Sequence, residues 1–220
     1  MCRSRRPLEQ KICGRSLFLI TDHPPNVGSV SSLLSLLGFQ PFDGYVGPSP
    51  DAPSGVAVYG PLDEGGLAQF TRLYGIDHDR YRRSLGEPGR LGQHAILEGR
   101  SSAEAVTSVV TFTGTAFFPS RGVEPLLTFG PQATGMAAIP LNLPDAKVEE
   151  YAMTDMTGAW IQAGVRSFGA GRVAVLGEAA MCSAQWAGQQ RVTMGMNAPF
   201  ASQNARFCLN VVGWLSGLFD

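Results

Sequence analysis

The sequence predicts an α/β fold, a three-layer sandwich around a mostly parallel sheet with an antiparallel hairpin near its C-terminal end. Three observations carry this expectation. Val173-Ala-Val-Leu176 is short, continuous and apolar, the pattern of a strand buried on both faces. A second such run, Ser16-Leu-Phe-Leu-Ile20, leads through turn formers into an apolar helical pattern, which is half of a βαβ unit. Gly169-Ala-Gly171 separates two β-type runs, 160–168 and 172–177, and reads as a hairpin turn.

Taken in order, residues 1–15 are polar and broken by Pro7 and Gly14, so they read as a poorly ordered tail. Residues 16–220 read as one domain, because a chain of 220 residues with 44% hydrophobic side chains fills one core. After the first strand, Asp22-His-Pro-Pro-Asn-Val-Gly28 is a loop. Ser29 or Ser31 is placed to cap the next helix, whose apolar face is Val30, Leu33, Leu34, Leu36 and Leu37 and whose stop is Gly38. Six prolines interrupt residues 40–92, which read as an irregular insertion over the sheet edge or the site, with a short helix at 67–74. Order returns at His94-Ala-Ile-Leu-Glu-Gly99. Strands follow at 106–113 and 125–129, then a loop-like stretch over 130–150. A mostly apolar helix after Gln203 and Asn204 ends the chain against the sheet.

Composition excludes several functions. A net charge of −1 does not suit a phosphate-backbone binder, and the arginines at 3, 5 and 6 read as a solvated tail. No apolar run reaches the roughly 18 residues of a membrane span, and no signal-peptide core follows the N-terminal arginines. Cys2, Cys13, Cys182 and Cys208 show no paired or metal-ligand spacing. Cys13 and Cys208 read as small buried hydrophobes, and nothing in the spacing demands an oxidising compartment. Gly169-Ala-Gly171 precedes a strand, whereas a dinucleotide loop follows one, so no cofactor is expected.

Several longer motifs carry a family resemblance. They are Trp160-Ile-Gln-x-Gly, Gly169-x-Gly-Arg-Val-Ala-Val-Leu-Gly-Glu178, Ala-Ala-Met-x-Ser-Ala-Gln185, Met194-Gly-Met-Asn-Ala-Pro199 and Gln203-Asn-Ala-Arg-Phe-x-Leu-Asn-Val-Val-x-Trp-Leu215. Together with His94-Ala-Ile-x-x-Gly99 and Gly14-x-Ser-Leu-Phe-Leu-Ile-x-Asp-His23, they resemble DUF4350-type proteins of the class I glutamine amidotransferase-like superfamily. The resemblance implies a flavodoxin-like sandwich, and relatives are often exported. It covers most of residues 14–217 and is weakest over 40–92. It also implies a strand and helix ahead of the first strand seen here, so that this strand's edge is expected to lie open to a second copy of the chain. Cys182 departs from the aromatic residue more usual at that position.

In that superfamily, glutamine hydrolysis needs a cysteine on the elbow after the first strand. The elbow here is Thr21-Asp22-His23, so glutaminase chemistry is not expected. Asp22, His23 and Glu178 each follow an apolar strand and are expected at one sheet edge. They suit a base, its orienter and an acid, and the histidines His23 and His94 suit a metal. They equally suit a loop held by an Asx-turn, with Glu178 bonded to helix amides. Thr113, Ser183, Gln185 and Asn197 are further candidates to line a pocket. The reading adopted is a non-catalytic ligand-binding or scaffolding domain, for a small molecule or a protein partner, in an envelope or transport system. The alternative is a hydrolase, metal-assisted or not, that uses Asp22, His23 and Glu178.

Overall fold

The structure, a computed structural model, describes residues 15–48, 55–139, 150–156 and 158–219. The chain begins with β1 (Leu17–Ile20), α1 (Asn26–Leu36), β2 (Phe39–Pro41), β3 (Tyr45–Gly47) and β4 (Ala57–Tyr59). Next come α2 (Glu64–Tyr74), α3 (His78–Ser84), β5 (Arg90–Leu91), α4 (Ala95–Glu98) and β6 (Val109–Thr111). Then follow β7 (Phe117–Pro119), β8 (Glu124–Thr128), β9 (Thr134–Ile139), β10 (Glu150–Asp155), β11 (Ile161–Phe168) and β12 (Gly171–Leu176). A 3-10 turn (Ala180–Cys182), β13 (Ala184–Ala187), β14 (Val192–Gly195) and α5 (Asn204–Leu215) complete it.

The principal sheet has seven strands, ordered β1-β12-β11-β7-β2, with β8 also on β11 and β5 on β8. The mostly parallel, flavodoxin-like sheet expected from the sequence is not what forms. Among the described strands only β1 and β12 form a parallel ladder, and every other ladder is antiparallel. Connection length imposes this on three ladders: parallel neighbours need a crossover of about a dozen residues or more, and β9–β10, β11–β12 and β13–β14 are joined by shorter links. The remaining strands make small antiparallel sheets: β10-β9-β3, β13-β14 and β4-β6. The strand pattern at 134–139 falls in the stretch read as a loop, because Thr134-Gly-Met-Ala-Ala-Ile139 lacks a β-branched run.

The three-layer sandwich is not the architecture either, although β12 is covered on both faces. Val173 and Val175 join Val27 and Leu34 of α1 in one apolar cluster, while Ala174 and Leu176 join Phe207 and Val211 of α5 in another. All four β12 side chains are fully buried, each worth on the order of 1.5–3 kcal/mol for a Val- or Leu-sized group. α5 is fixed at its start by Asn204, whose side chain accepts from the Val110 amide at 2.9 Å and donates to the Val110 carbonyl at 2.7 Å, as a neighbouring strand would. Asn210, one helical face further on, donates to the carbonyls of Ile96 and Glu104.

Residues 40–92 carry β3, β4, α2, α3 and β5, and their Val56, Val58, Leu67, Phe70 and Leu85 build a core cluster of their own with Phe112 and Phe200. α1 begins at Asn26, earlier than Ser29 or Ser31 would cap it, and its first turn has no side-chain cap. The tail read at 1–15 lies outside the described residues except for Arg15. No helix among the described residues is long and apolar enough to cross a membrane.

Candidate functional site

The parallel pairing of β1 with β12 creates the site. Ile20 stands opposite Leu176, and the Thr21 amide donates to the Leu176 carbonyl at 2.9 Å. Asp22 follows Thr21 by one residue and Glu178 follows Leu176 by two, so the register brings two carboxyl groups to one sheet edge.

Their environments differ. Glu178 is fully buried, and its two carboxyl oxygens accept from the amides of Ala180 (2.5 Å) and Met181 (2.7 Å). Burial pushes its pKa up to about 8, against the bonds from the Met181, Ala180 and Phe112 amides; the Asp22 charge adds to the rise. Gly114 permits this proximity, since a Cβ there would fall 2.9 Å from the Glu178 Cβ and closer still to the Gly177 carbonyl. Asp22 is partly exposed, and one oxygen takes the following His23 amide at 2.7 Å.

Asp22 forms part of a pocket of about 310 Å³ between the end of β1 and the start of α1. Its polar lining is Thr21, Asp22, Asn26 and Ser29, and its apolar lining is Ile20, Val30 and Ala179. Thr21 is only 5% exposed, and its hydroxyl is buried without a hydrogen-bond partner among the described residues. A polar atom in that state costs on the order of 1–3 kcal/mol, and sequence reasoning named Thr21 only as an elbow residue. A threonine beside an aspartate gives no local sign that its hydroxyl will be stranded.

The other sequence candidates separate from this pocket. His23 is turned aside: its Nδ1 lies 2.8 Å from the Pro24 carbonyl, so it must donate, and its ring stacks on Tyr45 at 4.6 Å. Its Nε2 is 3.8 Å from Asp22 Oδ1. His94 is at the far end of the sheet. Its ring packs on Trp214, whose carbonyl binds Arg172 at the start of β12, six positions before Glu178. At about 3.3 Å per strand residue that is roughly 20 Å away, too far for His23 and His94 to share a metal. Burial lowers the His94 pKa, and its Nδ1 caps α4 by accepting from the Ile96 amide. No group of residues suited to holding a metal occurs among the described residues.

Ser183, Gln185 and Asn197 do meet, but at the base of the β13–β14 hairpin. Gln185 donates to Ser183 Oγ at 2.6 Å and Asn197 donates to the Gln185 carbonyl at 3.0 Å. Thr113 contributes its carbonyl to Gln162, while its side chain packs near Gly55. Cys182 and Cys208 are joined in a disulfide, contrary to the reading of Cys208 as a buried thiol. A separation of 26 residues carries no motif that announces the pair.

The sequence reading also missed Gln162. It is fully buried in β11; its oxygen accepts from Tyr59 (2.7 Å) and Thr111 (2.6 Å), and its nitrogen donates to the Thr113 carbonyl. The signal was present: one amide inside Ile161-Gln-Ala-Gly-Val165. Gln162→Leu strands two buried hydroxyls, so we expect a loss of about 2–3 kcal/mol in urea unfolding. In the Gln162→Leu/Tyr59→Phe double variant, part of that loss should be recovered.

Neither family models, nor curated proteins, nor solved structures yield a match to this chain.

Proposed function

We propose that this chain is a non-catalytic domain that binds a small molecule in the pocket between β1 and α1. The observation that carries the reading is the cavity itself, which opens between β1 and α1 and presents the Asp22 carboxylate beside Asn26 and Ser29. The hydrolytic alternative finds less support. Glu178 is enclosed and held by backbone amides, His23 is committed to Pro24 and Tyr45, and Cys182 is oxidised. We further propose kinship with DUF4350-type proteins, resting on the quoted motifs alone, since the flavodoxin-like sheet that the resemblance implies does not form.

The test is Asp22→Asn, which removes the carboxylate charge of the pocket and keeps its shape. In a thermal-shift screen of small molecules, compounds that raise the melting temperature of the parent should lose that effect in Asp22→Asn. If Asp22→Asn keeps every ligand response, the pocket reading is wrong. Thr21→Val, which replaces the stranded hydroxyl with a methyl group of the same shape, should by itself stabilise the unliganded protein by about 1 kcal/mol in urea unfolding.

A further inference from the structure

We infer that β1 is a docking edge for a second copy of this chain, which adds its own β1 antiparallel about a twofold axis and extends the principal sheet across two molecules. This goes beyond the pocket reading and does not depend on it.

The outer strands of the sheet are built differently. β2 and β5 are three and two residues long, and β2 ends in Pro41, which has no amide to donate to a further strand. β1 offers four residues, Leu17-Phe-Leu-Ile20, without proline, glycine or charge, and β12 is its one neighbour among the described strands. In a parallel ladder, alternate residues bond to the neighbour. The Thr21 amide donates to β12, so Leu17 and Leu19 face β12 as well, while Phe18 and Ile20 turn their amides and carbonyls to the open side. The side chains are incompletely covered too: Ile20 is 38% exposed, and Leu17, Phe18 and Leu19 are half-buried.

Charge and symmetry identify the occupant. Exposed Arg15 precedes the strand and Asp22 follows it. Two copies laid antiparallel bring each Arg15 to the Asp22 end of the other, whereas a parallel pair would set like charges side by side. A twofold axis normal to the sheet requires opposed residues to share a face, and the outward groups of Phe18 and Ile20 must exchange bonds. Among the registers that meet both conditions, the one that sets Leu19 opposite its own counterpart also sets Phe18 opposite Ile20 twice. Aromatic and β-branched side chains so placed stabilise a ladder. Arg15 of the second copy then stands one position from Asp22, beside the pocket that Asp22 lines.

The experiment follows the full chain by sedimentation equilibrium from micromolar to near-millimolar concentration, with amide hydrogen exchange alongside. We expect the mass to rise from one chain towards two, and the Phe18 and Ile20 amides to gain protection in step. Ile20→Lys puts a charge into the new ladder and should leave a monomer that melts cooperatively. Arg15→Glu should weaken the dimer about tenfold, and Arg15→Glu/Asp22→Arg should restore it. A monomer at every concentration overturns the proposal, as does a dimer that survives Ile20→Lys. Phe18 and Ile20 amides already protected in the monomer overturn it as well, because residues 1–14 would then fill the edge. A dimer indifferent to both charge variants overturns the antiparallel arrangement. If Ile20→Lys does not melt cooperatively, the charge variants decide.

Discussion

Stability should fall as pH rises from about 4.5 to about 8, and Glu178 should be the cause. In the unfolded chain this carboxyl releases its proton near the usual 4.5, whereas in the fold it holds the proton until about 8. Between those values the folded state binds one more proton than the unfolded state. Unfolding free energy therefore declines by about 1.4 kcal/mol per pH unit, or on the order of 5 kcal/mol across the window. The contribution is fully present below 4.5 and is lost as pH passes through 8. Glu178→Gln removes the titration. Its amide nitrogen cannot accept from a backbone N–H, so one of the Ala180 and Met181 amides loses its partner, at a pH-independent cost of about 1–3 kcal/mol. Urea unfolding at several pH values should give a sloping difference between parent and variant. A constant difference would show that Glu178 keeps an ordinary pKa.

Loss of the Cys182–Cys208 bond should be nearly as large. The bond closes a loop across 26 residues, which by the chain-entropy relation stabilises the fold by about 3.5 kcal/mol. Cys182 ends the 3-10 turn whose first amides hold Glu178, and Cys208 lies on α5. Reduction therefore frees the turn from the helix on the Glu178 side of the site. Guanidinium unfolding with and without a thiol reductant measures the loss, and Cys182→Ala/Cys208→Ala should match the reduced parent. If oxidised and reduced protein unfold at the same midpoint, the bond adds nothing to this fold.

Much of the local structure was legible. The buried run at 173–176, the glycine turn of the β11–β12 hairpin, the His94 turn and the C-terminal helix all follow from patterns confined to a few residues. Sheet direction was not legible, because apolar periodicity says which faces are buried and nothing about which way a neighbour runs. The juxtaposition of Asp22 with Glu178 was readable from two strand ends. The isolation of the Thr21 hydroxyl was not, since the burial of that atom is set by the packed fold and not by its neighbours in sequence. The disulfide escaped for the same reason: its partners meet only once α5 has packed.

The single parallel ladder also sets an order of events. Leu17 pairs with Val173, so β1 joins the sheet only after a loop of roughly 150 residues has closed. That closure carries an entropy cost of about 4 kcal/mol before any contact repays it. The β11–β12 hairpin, with two residues between its strands, forms locally. Contact-order reasoning then puts β1 among the last elements to dock and among the first to detach in partial unfolding. The pocket is lined by the end of β1, the start of α1 and Ala179. It is thus absent from any folding intermediate that holds the hairpin alone, and ligand binding reports that the two distant parts of the chain have met.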